Sequence, residues 1–154
     1  MMKSLAVISD THGTLTQEKL EGLFPPESGI ITLGDITNQE LKIIKDTYQF
    51  LGGVKGNCDK DGHLPVTDTI EIGGIRIFLT HSPFNITIQS RDKDSLNGYD
   101  VFAFGHLHTR FCWNDNGIVF FSPGAFAEPR DNHNSAGIIE ITEEKCEFKF
   151  VDVA

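Results

Sequence analysis

The 154-residue chain carries 13 Lys and Arg against 22 Asp and Glu, a formal net charge of −9, with 39% apolar and 23% charged residues. These proportions fit an ordinary globular protein with one domain spanning 1–154, and no block of basic residues provides a dedicated nucleic-acid-binding face. Cys58, Cys112 and Cys146 are too scattered for a zinc finger or a disulfide framework, which makes the reducing cytoplasm the expected compartment. No apolar run approaches the ~20 residues of a membrane span, so no membrane partner is expected.

The first eight residues have one basic side chain and too short an apolar core for a secretory leader. They are read instead as a first strand over 5–8. Thr16 caps a predicted helix over 16–24, with Gln17 and Glu18 in its first turn and Pro25-Pro26 ending it. A second strand covers 30–33. Asn38 is expected to cap a helix over about 39–48 that places Leu41, Ile44 and Tyr48 on one face. A third strand follows over 50–54, and this β-α-β-α-β order implies a parallel sheet with right-handed crossovers.

The second half changes character. Segments 67–72 and 75–79 flank Gly73-Gly74, whose positive φ angles suit a hairpin turn. A weaker helix is expected near 91–97, then strands over 101–104, 110–113, 118–121, 136–141 and 146–151, with Asp115-Asn116-Gly117 turning between two of them. The chain thus begins as α/β and is expected to end as mostly antiparallel β. Two packed sheets with helices outside, a two-sheet β-sandwich in the α/β class, is the economical architecture.

Five apolar runs end on ligand-type residues: Asp10 and His12 after the first, then Asp35, Asn57, His81, and finally His106 with His108. Any one of these strand ends alone is an ordinary turn. Five together place oxygen and nitrogen donors beyond the carboxyl ends of strands, where α/β folds build ligand sites. Gly34, Gly56 and Gly105 stand beside three of them, and without a Cβ each permits a sharp exit from the strand. Seven donors exceed the needs of one ion and suit two, since one carboxylate can bridge ions about 3.5–4 Å apart. The His, Asp and Asn donor set suits Mn²⁺, Fe²⁺ or Zn²⁺ rather than a structural Cys-rich zinc site.

In this order, D-x-H, G-D, G-N, an isolated strand-end His and G-H-x-H resemble the motifs of the calcineurin-like metallophosphoesterase superfamily. The small size and the segment Ser122-Pro-Gly-Ala-Phe-Ala-Glu-Pro-Arg130 look like its compact bacterial and archaeal phosphodiesterase branch, which is similar to the phosphoesterase-fold subunit of the retromer. The resemblance implies a four-layer α/β/β/α fold. It also implies one ion held by Asp10, His12, Asp35 and His108 and a second held by Asp35, Asn57, His81 and His106, with Asp35 bridging. The two divalent ions would be Mn²⁺ foremost, with Fe, Ni or Zn as alternatives. The implied activity is hydrolysis of a small phosphodiester by in-line attack of a hydroxide bridging the ions. The alternative is an interaction scaffold of weak catalytic power, like the retromer subunit. A homo-oligomer is compatible with either.

Two departures from the family pattern bear on substrate. Many relatives follow the Asn with a His that stabilises the departing oxygen, and here Cys58 takes that place. A thiol is a poorer proton donor to an alkoxide, so diesters with good leaving groups are expected to be preferred over monoesters. Pro83, after His81-Ser82, removes an N–H that could have met substrate. Among weaker candidates, His63 and His133 are read as loop residues. Arg130 could pair with phosphate or with a carboxylate, Asp59 could support a ligand His or be a plain loop carboxylate, and Phe102, Phe104, Phe120, Phe121 and Phe126 are read as core.

Overall fold

The computed structural model describes residues 3–59, 64–86 and 98–153. In chain order these form β1 (Lys3–Ile8), α1 (Gln17–Leu23), β2 (Gly29–Thr32), α2 (Asn38–Thr47), β3 (Gln49–Gly53), β4 (Thr67–Ile72), β5 (Ile75–Thr80), a 3-10 turn (Pro83–Asn85), β6 (Val101–Phe104), β7 (Arg110–Asp115), β8 (Ile118–Pro123), β9 (Ser135–Ile141) and β10 (Cys146–Asp152). The strands make two five-stranded sheets, ordered β10-β9-β1-β2-β3 and β4-β5-β6-β8-β7.

Side-chain alternation explains why these sheets stack. Leu5 and Val7 of β1, Ile31 of β2 and Ile139 and Ile141 of β9 face inward with Ile77, Leu79, Val101, Ala103 and Phe121 of the other sheet. Their neighbours Ala6, Ile8, Ile30 and Ala136 face outward and join Leu20, Phe24, Leu41, Ile44 and Tyr48 from the two helices. The first sheet is therefore apolar on both faces, as expected of a sheet covered on one side by helices and on the other by a second sheet. On the far face of the second sheet, Phe102, Phe104, Tyr99, Ile118 and Ile86 form a third apolar cluster. The helix expected near 91–97 lies outside the described residues. Among the described residues no helix is long and apolar enough to cross a membrane.

Local chemistry sets the helix starts. Thr16 Oγ1 accepts the Lys19 N–H at 3.1 Å, so Thr16 caps α1 as its sequence position suggests. For α2 the expected cap is off by one residue: Thr37, not Asn38, is the N-cap. Thr37 has a Glu three residues on and so can complete a reciprocal capping box, whereas Asn38 has Leu41 at that spacing.

The first half folds as the parallel β1-β2-β3 set that its β-α-β-α-β order implies. The second half differs from expectation. β4 and β7 pair antiparallel with β5 and β8, but β5, β6 and β8 run parallel to one another. β7 lies at the sheet edge, so the β7–β8 hairpin returns the chain into the gap beside β6 in β6's own direction. The last two strands leave that sheet altogether: β9 pairs antiparallel with β1, and β10 with β9.

Phe121 is fully buried between the sheets, with its ring against Phe148 and Phe150 at centroid distances of 5.2 and 5.4 Å. Phe121→Ala is expected to lower stability by about 3–5 kcal/mol in urea unfolding. A loss under about 1 kcal/mol would mean that the inter-sheet core is not packed as described.

Candidate metal centre

The two parallel strand sets direct their carboxyl ends to one edge of the sandwich, and backbone hydrogen bonds lock the segments beyond them together. Asp10 N–H donates to Gly34 O at 3.0 Å and His12 N–H to Asp35 O at 3.3 Å, joining the loops after β1 and β2. Cys58 N–H donates to Asp35 Oδ1 at 2.8 Å, bringing in the loop after β3. Across the sheets, His81 Nδ1 meets Leu33 O at 2.6 Å, and Gly105 N–H donates to His81 O at 2.9 Å. Five loops thus meet at one place.

Ligand atoms of Asp10, His12 and His108 lie within 4.8 Å of one another, as do those of Asp10, Asp35 and His81. His108 Nε2 is 3.3 Å from Asp10 Oδ1, His81 Nε2 is 3.4 Å from Asp35 Oδ2, and His12 Nε2 is 3.9 Å from each of those oxygens. Two ligands each about 2.1 Å from a shared ion stand about 3 to 3.4 Å apart at right-angled or tetrahedral geometry, which the His108–Asp10 and His81–Asp35 spacings match, while the two His12 distances are wider. His106 packs edge-on against His81, ring centroids 5.2 Å apart. Asn57 is exposed, one residue from both Gly56 and Cys58 beside Asp35.

Asp10 Oδ1, His12 Nε2 and His81 Nε2 are buried and have no hydrogen-bond partner. Unpaired polar atoms at such positions are costly. They fall into two groups, Asp10 with His12 and His108 and Asp10 with Asp35 and His81, so a divalent cation in each group would satisfy them. The imidazoles are already oriented for it. A carbonyl can only accept, so the contacts of His81 Nδ1 with Leu33 O and of His108 Nδ1 with Glu128 O, the latter at 2.8 Å, require the proton on Nδ1. Each Nε2 then presents a lone pair to the centre. Glu128 adopts a left-handed φ of 55°, and its segment is held by Ala127 N–H to Asp10 O at 3.0 Å. The segment around 122–130 therefore contributes backbone to the centre, a role that residue types alone do not disclose.

Asp10, His12, Asp35, His106 and His108 all have left-handed φ angles, from 47° to 71°. Such angles are disfavoured for residues with a Cβ and persist where the surroundings over-determine them. The adjacent glycines make the crowding possible. A Cβ on Gly34 would stand 2.6 Å from His81 Nδ1. One on Gly56 would collide with Asp35 Oδ1, and one on Gly105 with Ser9 Oγ.

Burial is the largest cause raising the Asp10 carboxyl above its ordinary 3.8, opposed by the Ser9 hydroxyl, which donates to Asp10 Oδ2 at 2.7 Å, and by the facing histidines. The Cys58 sulfur lies within 4.8 Å of ligand atoms of His12 and Asp35. Desolvation first, then the carboxylates of Asp35, Asp59 and Asp10, push its thiol up. Asp59 supports no histidine: its Oδ2 accepts the backbone N–H groups of Asp35 at 3.0 Å and Gly56 at 2.7 Å, tying two loops together. Arg130 and His133 have exposed side chains, and His63 lies outside the described residues.

Residues 2–144 match the calcineurin-like phosphoesterase superfamily domain. A probable metallophosphoesterase of Methanocaldococcus jannaschii is 32% identical over 97% of this chain and 81% of its own length. Phosphodiesterase YfcE of Escherichia coli K12 is 26% identical over 90% of this chain and 88% of its own. A single-residue variant of Vps29 from Entamoeba histolytica superposes with a TM-score of 0.73 at 21% identity, covering 97% of this chain and 98% of that one, a likeness of fold.

Because the folded Asp10 pKa lies above the ordinary value, folded metal-free protein binds more protons than the unfolded chain. It therefore loses that part of its stability as pH rises from about 3.8 through the folded pKa. A divalent cation replaces the proton. Added Mn²⁺ at about 100 times its Kd is expected to stabilise the protein by about 2.7 kcal/mol per site near neutral pH. The gain should shrink as Asp10 protonates toward about pH 4. Thermal melts with and without Mn²⁺ read this out, and a gain independent of pH would contradict the centre.

Proposed function

The chain belongs to the calcineurin-like phosphoesterase superfamily, and we propose that it is a dinuclear metal-dependent phosphodiesterase. In this reading Asp10, His12, Asp35 and His108 hold one ion, and Asp35, Asn57, His81 and His106 hold the other, with Asp35 shared. The observation that supports it most is that the buried ligand atoms of Asp10, His12 and His81 have no hydrogen-bond partner among the described residues, while His12 and His81 each stand with Asp10 in a group of ligand atoms within 4.8 Å of one another, the one completed by His108 and the other by Asp35. When bound, two divalent ions supply the activated water and the positive charge that an in-line displacement at phosphorus needs. Mn²⁺ is the first choice because the family that the sequence resembles commonly uses it; the His, Asp and Asn donors suit Fe²⁺ or Zn²⁺ as well.

The protein's own groups do the rest. Leu33 O and Glu128 O hold the imidazoles of His81 and His108 in the ligating tautomer. Cys58, at the rim, keeps its proton because its thiol is raised. It brings no positive charge, so it stabilises a departing alkoxide poorly, which favours substrates whose leaving group departs without help. A groove of about 450 Å³ lies beside the Asp35 and Asn57 loops, with Ile36, Leu41 and Leu64 in its lining together with Lys42, Lys45 and Lys55. Asp46 and Asp59 also line it, and in this reading it would take the second ester arm, which a diester has and a monoester lacks.

A second reading is an interaction scaffold that binds metal without efficient catalysis, as in the retromer subunit that the sequence resembles. Phe111 and Trp113, 40% and 51% exposed on the edge strand β7, support it, since exposed aromatics mark interaction surfaces.

Bound-metal analysis, followed by turnover of bis(p-nitrophenyl) phosphate and p-nitrophenyl phosphate with Mn²⁺, separates these readings. The enzyme is expected to bind about two ions per chain and to favour the diester. Asn57→Ala and His81→Ala should each cost on the order of 100-fold or more in kcat/KM. Cys58→His should raise turnover of poor-leaving-group diesters on the order of 10–100-fold. Metal binding without turnover of either ester would leave the scaffold reading.

A further inference from the structure

Glu40 stands in the first turn of α2, where its Oε1 accepts the Thr37 N–H at 2.9 Å and the Thr37 hydroxyl at 3.0 Å, while Thr37 Oγ1 accepts the Glu40 N–H at 3.1 Å. That completes a capping box, and a helix start requires nothing more of the side chain. The same Oε1 also accepts the Thr11 hydroxyl at 2.7 Å and the Gly13 N–H at 3.0 Å, and Oε2 accepts the Leu15 N–H at 2.7 Å. Glu40 is 3% exposed. A buried carboxylate is tolerable only when donors surround it, and here three of the five come from the loop after β1 rather than from its own helix.

That loop carries His12, at a φ of 47°, and then Gly13, at 87°. Within the loop, the Thr14 N–H and hydroxyl both donate to Thr11 O, which shapes the turn but does not attach it to anything else. Its attachment to the Asp35 side consists of the backbone bonds Asp10 N–H to Gly34 O and His12 N–H to Asp35 O, the latter long at 3.3 Å, together with the Glu40 carboxylate. Glu40 in turn is anchored by the backbone N–H of Thr37, two residues after Asp35, and by its own place in the first turn of α2.

We propose that Glu40 is a positioning residue of the metal centre. It ties the loop bearing His12 to the helix start that follows Asp35, fixing His12 Nε2 at 3.9 Å from Asp35 Oδ2. It thereby sets the affinity of the ion assigned to Asp10, His12, Asp35 and His108. The inference rests on the dinuclear reading above, but it concerns ion affinity rather than turnover. Partners that orient metal ligands without touching the ion commonly account for about 10–100-fold in affinity.

The test compares Glu40→Gln, which keeps the side chain's volume but only one of its two acceptor oxygens, and Glu40→Ala with Thr37→Ala, which damages the same helix cap but leaves the Glu40 bonds to the 11–15 loop. Mn²⁺ titration calorimetry and electron paramagnetic resonance are run on each, with circular dichroism and melting temperature to verify folding. The expected order of affinity for the weakened ion is wild type, then Glu40→Gln, then Glu40→Ala, the last at least about tenfold below wild type. In Glu40→Ala the coupled signal of a Mn²⁺ pair should give way to that of an isolated ion. Thr37→Ala should melt at a lower temperature yet bind both ions as wild type does.

Two results would overturn the inference: wild-type affinity and a coupled signal in both folded Glu40 variants, or a loss in Thr37→Ala equal to that in Glu40→Ala. If Glu40→Ala does not fold, Glu40→Gln alone decides, through a measurable loss of ion affinity or its absence. A wild-type protein that binds no metal removes the dinuclear reading and this inference together. A wild type that binds two ions but cleaves no ester removes only the catalytic reading.

Discussion

Five ligand-type side chains stand on backbone that L-residues avoid, and the rest of the molecule is arranged around keeping them there. Asp10, His12, Asp35, His106 and His108 all occupy the left-handed region, at about 1–2 kcal/mol each. No local feature of these loops offsets that cost. Compensation comes from the sandwich itself, whose parallel strands deliver the loops to one edge and whose buried faces hold the strands in register. Hydrogen bonds between the loops, not an ion, hold the ligands in this arrangement.

The same arrangement makes the metal-free centre uncomfortable. Asp10 and Asp35 are buried at the tips of apolar strands, in a protein whose net charge is already −9. Burial raises the Asp10 carboxyl, and ligand atoms of Asp10, His12 and His81 lack partners. Each of these is an unfavourable contribution that a divalent cation reverses, so folding and metal binding are coupled through one set of atoms. Hydrogen bonds behind the ligands decide which atoms face inward. Leu33 O and Glu128 O fix two imidazoles, Asp59 clamps the loops of Asp35 and Gly56, and Glu40 joins the loop of His12 to α2.

Chemistry at the rim is where this chain departs from the pattern that it resembles. Cys58 is tethered to Asp35 by its own backbone N–H, so its position follows the Asp35 carboxylate even though its side chain is exposed. Desolvation first, and then the carboxylates around it, raise the thiol and keep the sulfur protonated, which limits what it can do for a leaving group. Pro83, another departure, starts a short 3-10 turn after His81 that Ser82 caps through its hydroxyl. It shapes the chain leaving the centre without altering the His81 contact to Leu33.

Much was legible in the residues before any coordinates. Short apolar runs bounded by turn residues located the strands to within one or two positions, because strands covered on both faces are apolar throughout. The β-α-β-α-β order foretold the parallel set, because such crossovers have one hand. Strand-end Asp, His and Asn pointed to a metal, because those side chains share donor chemistry. Other features depend on contacts between distant segments, which local pattern does not encode. Glu40 closes a capping box with Thr37, a three-residue spacing that the residues do show, but its reach to the loop of His12 belongs to the fold alone. The parallel run of β5, β6 and β8, and the return of β9 to β1, follow from which edges were free to pair. The sequence by itself determined which atoms could bind a cation. Only the tertiary structure decided which of them face one another, since that depends on five loops being brought to one edge and turned through angles that no isolated segment would hold.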